Sequence, residues 1–284
     1  MSDRYFSPDS IFWRVNREGL MVLSGPRALL LELAHPLVAA GVAEHSQFAT
    51  DVVGRLRRLQ RTLNAMLTLT FGTLDEAVAV ARHIDGIHGR VKGQLGESTG
   101  ALPAGTAYFA RDPALLRWVH VTFVDSALRV YALYVGPLSQ AERDRYCLET
   151  TAIEPLLHIP AGYLPRSAAA LDAYLDEMLA SGEIAVGETA RGIARALLAP
   201  LGPPVLRPLE ALFRLPIVGL LPPAVREGYG FRWTPRHARA LAASAGLCRW
   251  LRPGLPGMLC RWPAARAAER RYRRSMALGA ATGG

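Results

Sequence analysis

Asp112-Pro-Ala-Leu-Leu-Arg-Trp-Val-His-Val-Thr-Phe-Val-Asp-Ser-Ala-Leu-Arg-Val-Tyr-Ala-Leu-Tyr134 is the stretch that decides the fold. Aspartate followed by proline is a strong helix start. The carboxylate caps a free amide, and proline brings no amide to be left unpaired in the first turn. No further glycine or proline intervenes before Gly136-Pro137. One helix of about six turns is therefore predicted, far too long for a strand. At 100° per residue, Leu116, His120, Phe123, Val124, Ala127, Tyr131 and Tyr134 share one face. Asp125 and Arg129 lie on the opposite side, one turn apart, where they can pair. A helix this apolar belongs in a core, and this one carries a histidine in the middle of its apolar face.

The same punctuation recurs on both sides. Ser10 precedes Ile11-Phe-Trp-Arg-Val, a short helix that Gly19 closes, and Gly25-Pro26 opens another that His35-Pro36 kinks or splits. From Asp51 to Thr70, apolar Leu56, Leu59, Leu63, Met66 and Leu67 oppose Arg55, Arg58 and Thr62, an amphipathic helix. Thr73-Leu-Asp-Glu76 and Ser139-Gln-Ala-Glu142 are capping boxes. The first starts a helix expected to run to about Gly93. The second starts one that proline stops near Glu154-Pro155. Gly96–Gly105 reads as a loop and Pro200–Pro223 as short helices and turns. Helices are expected over Ala168–Ala180, Glu188–Leu198, Pro235–Ala245 and Ala264–Ala277.

Period-two strand patterns are nearly absent, so the fold class is all-α. There is no internal repeat or low-complexity linker. Residues 1–284 are expected to form a single helical domain, with a core over about 10–200 and a C-terminal helical extension over about 201–284. Pro200–Pro208 is the only plausible boundary.

Composition narrows the functional classes. The formal charge is +9, yet 32 of the 33 basic residues are arginine and Lys92 is the only lysine, which points to genome composition as a source of the excess. No arginine run is interleaved with exposed aromatics, so a nucleic-acid partner is not expected. Cys147, Cys248 and Cys260 form neither a disulfide framework nor a C-x-x-C pair, which favours a reducing compartment, the cytoplasm. No stretch has the ~18 uninterrupted apolar residues of a membrane span. P-loop, G-x-G-x-x-G, H-E-x-x-H and G-x-S-x-G patterns are all missing, which removes the corresponding nucleotide-binding, metalloprotease and hydrolase readings.

What remains is histidine on apolar helices. Buried His120 needs a partner for its nitrogens: a backbone carbonyl, a hydroxyl, or a metal or haem iron. His88 repeats the situation, with Ala77, Ala81, Ile84 and Val91 beside it, Arg82 and Arg90 turned away, and Lys92 one turn on.

Four segments then carry a resemblance: Leu33-Ala-His-Pro-Leu-Val-Ala-Ala-Gly-Val-Ala-Glu-His-Ser46, Leu69-Thr-Phe-Gly-Thr-Leu-Asp-Glu-Ala77, Ile87-His-Gly-Arg-Val-Lys-Gly93 and Leu116-Arg-Trp-Val-His-Val-Thr-Phe-Val-Asp-Ser126. Together, and in this order, they resemble the family of the fungal mpaB oxygenase and the rubber oxygenase (latex clearing protein) catalytic domain. Pro222-Pro-Ala-Val-Arg-Glu-Gly-Tyr-Gly-Phe-Arg-Trp233 resembles the tail of such proteins. The resemblance implies a globin-like helical core holding haem b and oxidative cleavage of carbon–carbon double bonds. It makes His120 the proximal iron ligand and puts His88, Arg90 and Lys92 on the distal side. The distal arginine–lysine–threonine group of the rubber oxygenases has no clean counterpart in this chain.

The reading is a haem b-dependent oxygenase for a small apolar, unsaturated substrate. Arg61, Arg90 or Lys92 would neutralise the haem propionates, and side chains of Leu63–Phe71 would wall the cavity. Two alternatives stay open. One is a non-enzymatic helical protein that binds haem or an apolar ligand. The other is peripheral membrane contact through the basic helix Arg266-Ala-Ala-Glu-Arg-Arg-Tyr-Arg-Arg274.

Overall fold

Ser10 accepts a hydrogen bond from the Trp13 amide and so starts α1 (Ile11–Asn16). A 3-10 turn leads into α2 (Ser24–Glu32), and Pro36 forces the break before α3 (Pro36–His45), which leaves at 107°. The computed structural model describes residues 5–45, 52–199 and 202–282. Asp51, Pro200 and the side chains of Arg55, Leu56, Arg58 and Leu59, on which some of the expectations rest, lie outside the described residues.

Both capping boxes form with reciprocal bonds. Thr73 opens α5 (Leu74–His88) after α4 (Val52–Phe71), and Ser139 opens α7 (Gln140–Thr150). Asp112 accepts from the Ala114 amide and starts α6, which runs unbroken over Pro113–Tyr134. After a 3-10 segment (Thr151–Leu156) come α8 (Ala168–Ala180) and α9 (Glu188–Leu197). The proline-rich passage is more regular than expected: α10 (Arg207–Gly219) absorbs Pro216 near its end, and α11 (Pro223–Gly228) follows. Thr234 caps α12 (Pro235–Leu251) through a third box in which His237 takes the glutamate's part. The described chain ends with α13 (Gly257–Cys260) and α14 (Pro263–Thr282). The protein is predominantly all-α.

One correction concerns the end of α5. The helix stops at His88, and Lys92 starts β1 (Lys92–Gln94), paired antiparallel with β2 (Ala107–Phe109). Tyr108 explains why a pattern reading misses this hairpin. Each strand has three residues, and only the centre of β2 is buried, so no alternation is long enough to register. Lys92 is consequently not a helical neighbour of His88.

α6 packs against α1, α2, α7, α8 and α12. It is therefore buried on nearly every side, not on one stripe. Its supposed solvent face meets α2: Trp118, Val121, Thr122, Asp125 and Ser126 are all within 2% of full burial. The Asp125–Arg129 pair exists at 2.6 Å, but Asp125 also takes Arg27 Nη2 at 2.7 Å. Arg27 is fully buried, and its guanidinium also reaches Ser126 Oγ at 2.5 Å and the Leu220 carbonyl at 2.7 and 2.9 Å. Such a charge is tolerated in a core only with a counter-charge and further hydrogen bonds, and four bonds serve this guanidinium. A single-helix wheel cannot anticipate it, because the compensating charge comes from another helix.

Candidate functional site

His120 occupies the middle of α6, where the burial of its helix makes a charged imidazole expensive. Desolvation pulls its pKa down to about 4 against a smaller upward pull from Glu154, so the ring is neutral at pH 7. Its Nε2 lies 3.2 Å from Thr150 Oγ1, and that hydroxyl donates a 2.7 Å bond to the Cys147 carbonyl. The hydroxyl proton is thus spent, which assigns the imidazole proton to Nε2 and the lone pair to Nδ1. No hydrogen bond reaches Nδ1 among the described residues. The side chain is half-buried. Leu116, one turn earlier, joins Ile159 and Leu164 in a buried apolar cluster.

Glu154 is the acid of this neighbourhood. It is 5% exposed, and its two oxygens accept from the amides of Gly162 and Leu164 at 3.0 Å each. Backbone amides therefore hold the acid in place near the ring. Neither Thr150 nor Glu154 announces itself in the sequence as a partner of His120. Each sits where α7 gives way to the 3-10 segment, thirty or more positions downstream.

His88 holds the last position of α5, a helix that packs against the 3-10 segment carrying Glu154. Burial lowers its pKa, against a smaller upward pull from Asp85. Its surroundings are more ionic than its helix face suggests. Asp85 grips Arg111 with bonds of 2.8 and 2.6 Å, and exposed His158 approaches Asp85 at 3.8 Å. Arg61, Arg90 and Lys92 are all exposed. The 3-10 segment thus adjoins α5 and carries the acid that acts on His120, and the three cations lie at the surface. Of the expected cavity wall, Phe71 is committed to core packing, edge-on to Trp13 with ring centroids 4.7 Å apart, whereas Leu63, Leu67 and Phe123 are half-buried.

A second buried acid was not apparent in the sequence. Glu32 ends α2 at 7% exposure, and desolvation raises its pKa to about 8. Thr122 Oγ1 lies 3.3 Å from its carboxyl but makes its shorter bond, 2.7 Å, to the Val119 carbonyl. His35, 3% exposed, has its pKa pulled down to about 4 by burial. An open cleft of about 610 Å³ lies between α3, the hairpin and the start of α9, lined by residues such as Ala39, Glu44, Leu95 and Thr189. None of the sequence-predicted site residues lines it.

No curated protein and no solved structure matches the chain. A family match does exist, and it spans α1 to the end of α12, including every helix that contributes to the surroundings of His120. Residues 13–252 match the catalytic domain described as ER-bound oxygenase mpaB/B'/Rubber oxygenase, and the chain belongs to that family.

Proposed function

We propose that the chain is a haem b-dependent oxygenase in which His120 is the single protein ligand to iron and the substrate is apolar and unsaturated. The observation that carries this reading is His120 itself: a neutral imidazole in the middle of the central helix whose Nδ1 takes no hydrogen bond among the described residues. A neutral ring nitrogen is what a metal requires. The donor set also suits a group that brings its own equatorial ligands. Among the described residues, no three His, Cys, Asp or Glu side chains gather as a protein-only metal site would need.

Haem bound there would supply dioxygen activation for attack on a carbon–carbon double bond. The chain's own residues do the rest. Ligation through Nε2 would replace the bond to Thr150 and shift the ring proton to Nδ1, while the hydroxyl keeps its bond to Cys147. The nearby Glu154 carboxylate raises the ring's basicity. His88 is the group suited to hold a proton on the far side, since no hydrogen bond occupies its ring among the described residues. Arg61, Arg90 and Lys92 suit a propionate at the surface better than a reacting substrate, because they are exposed.

The test is titration of the purified protein with haem, read by the visible spectrum. A Soret band saturating at about one haem per chain is expected. His120→Ala should lose most of it with helical content retained, and His88→Ala should keep haem with an altered spectrum. Protein that stays colourless would overturn the reading and leave His120 as a core histidine satisfied by Thr150. Stoichiometric haem with no product from isoprenoid or unsaturated acyl compounds under oxygen would favour haem binding without turnover.

A further inference from the structure

The C-terminal segment concentrates two properties that a soluble surface normally keeps apart. Residues 202–282 hold fourteen arginines and three glutamates, a net charge of +11, whereas the remainder of the chain holds 19 basic and 21 acidic residues, a net −2. The same segment leaves large apolar side chains in solvent. Leu209, Leu212 and Phe213 stand at i, i+3 and i+4 on α10, and Leu247, Trp250 and Leu251 repeat the spacing on α12. The two helices pack against each other. Met258 and Leu259 of α13 follow, at 62% and 69% exposure, and Trp250 reaches 76%. Exposed apolar side chains in this number mark an interaction surface.

Arginines flank Met258 directly. A groove beside α14 is lined by Met258 together with Arg266, Arg270 and Arg273. Arg249 lies between Leu247 and Trp250 in the chain. Arg249, Arg270 and Arg273 are exposed and make no ion pair among the described residues. By contrast, the apolar face of α14 is already used: Ala265 and Ala268 are fully buried with Trp13 and Phe71. The terminal helix thus supplies charge, and the insertable side chains come from α10, α12 and α13.

We propose that this surface docks on an anionic lipid bilayer, with the apolar side chains entering the headgroup region and the arginines meeting lipid phosphates. Exposed apolar side chains with unpaired arginines beside them, Met258 with Arg270 and Arg273 and Trp250 with Arg249 next to it in the chain, fit that boundary. Self-association through the same face would set two +11 segments against each other. Nucleic acid would meet six leucine and methionine side chains, which do not stack on bases, against two aromatics, Phe213 and Trp250.

Flotation of the full-length protein with vesicles tests this without haem or substrate, so its failure is separable from failure of the oxygenase reading. Vesicles of phosphatidylcholine mixed with phosphatidylglycerol should carry the protein at low salt, with much less carried at high salt or by phosphatidylcholine alone. Trp250→Glu/Met258→Glu alters only exposed side chains and should reduce binding roughly tenfold or more, as should Arg270→Glu/Arg273→Glu. Unchanged circular dichroism would show that both variants fold. No flotation with any vesicle would overturn the proposal. Undiminished binding by the apolar double variant would overturn insertion. A dimer in light scattering that the apolar double variant dissolves would instead assign the face to a second copy of the chain.

Discussion

Replacing Glu32 by glutamine should make the protein more stable at neutral pH and remove one limb of its pH dependence. The carboxyl ends α2 at 7% exposure with a pKa raised from 4.5 to about 8, first by desolvation, with only Thr122 pulling the other way. In the folded protein it therefore holds its proton between about pH 4.5 and 8, while in the unfolded chain it has already lost it. The folded state binds more protons in that window, so stability falls as pH rises. At pH 7 the gap is about 2.5 pH units at 1.36 kcal/mol each, an upper bound of about 3 kcal/mol. His35 and His120 act in the opposite sense. With pKa values lowered to about 4, they cost stability as pH falls from 6.5 toward 4, and His88 is shifted in the same direction. Above pH 6.5 their contribution is complete and Glu32 is left to set the slope. Denaturant unfolding followed by circular dichroism should show the parent losing about 1.5 kcal/mol between pH 6.5 and 8. Glu32→Gln should be flat over the same range and more stable at pH 7. A parent with no slope there, or a variant that keeps the slope, would refute the protonated-carboxyl argument.

Two further stability measurements follow from the same packing. Asp125→Ala leaves Arg27 fully buried without its counter-charge and should cost about 3–5 kcal/mol in denaturant unfolding, whereas Arg129→Ala, at the half-exposed end of the network, should cost under about 1 kcal/mol. Similar losses from the two would mean that the network is not centred on the buried arginine. Thr73→Ala removes the cap of α5 and should cost about 1 kcal/mol, with hydrogen exchange faster in the first turn of that helix. Unchanged protection at Glu76 would contradict the capping role.

Local chemistry determined much of this protein. Asp112-Pro113, the boxes at Thr73 and Ser139, and the His35-Pro36 break each act within a few residues. Helix starts and stops can therefore be read directly from the sequence, and the all-α class follows from them. His120 is legible for the same reason, as a polar ring on an apolar period, and its motif carries the family. Its partners are not legible: Thr150 and Glu154 reach it only because α7 and the 3-10 segment fold back beside α6. Likewise, Arg27 looks like an ordinary helix arginine until α2 lays it against Asp125, and Glu32 looks like an ordinary acid until Thr122 and Trp118 enclose it. Lys92 shows the limit from the other side, since a three-residue strand paired to Phe109 overrode the apparent helical continuation. Capping and periodicity are short-range and encoded in neighbours along the chain. Desolvation and charge compensation depend on which helices meet, and that is a property of the packed tertiary structure alone.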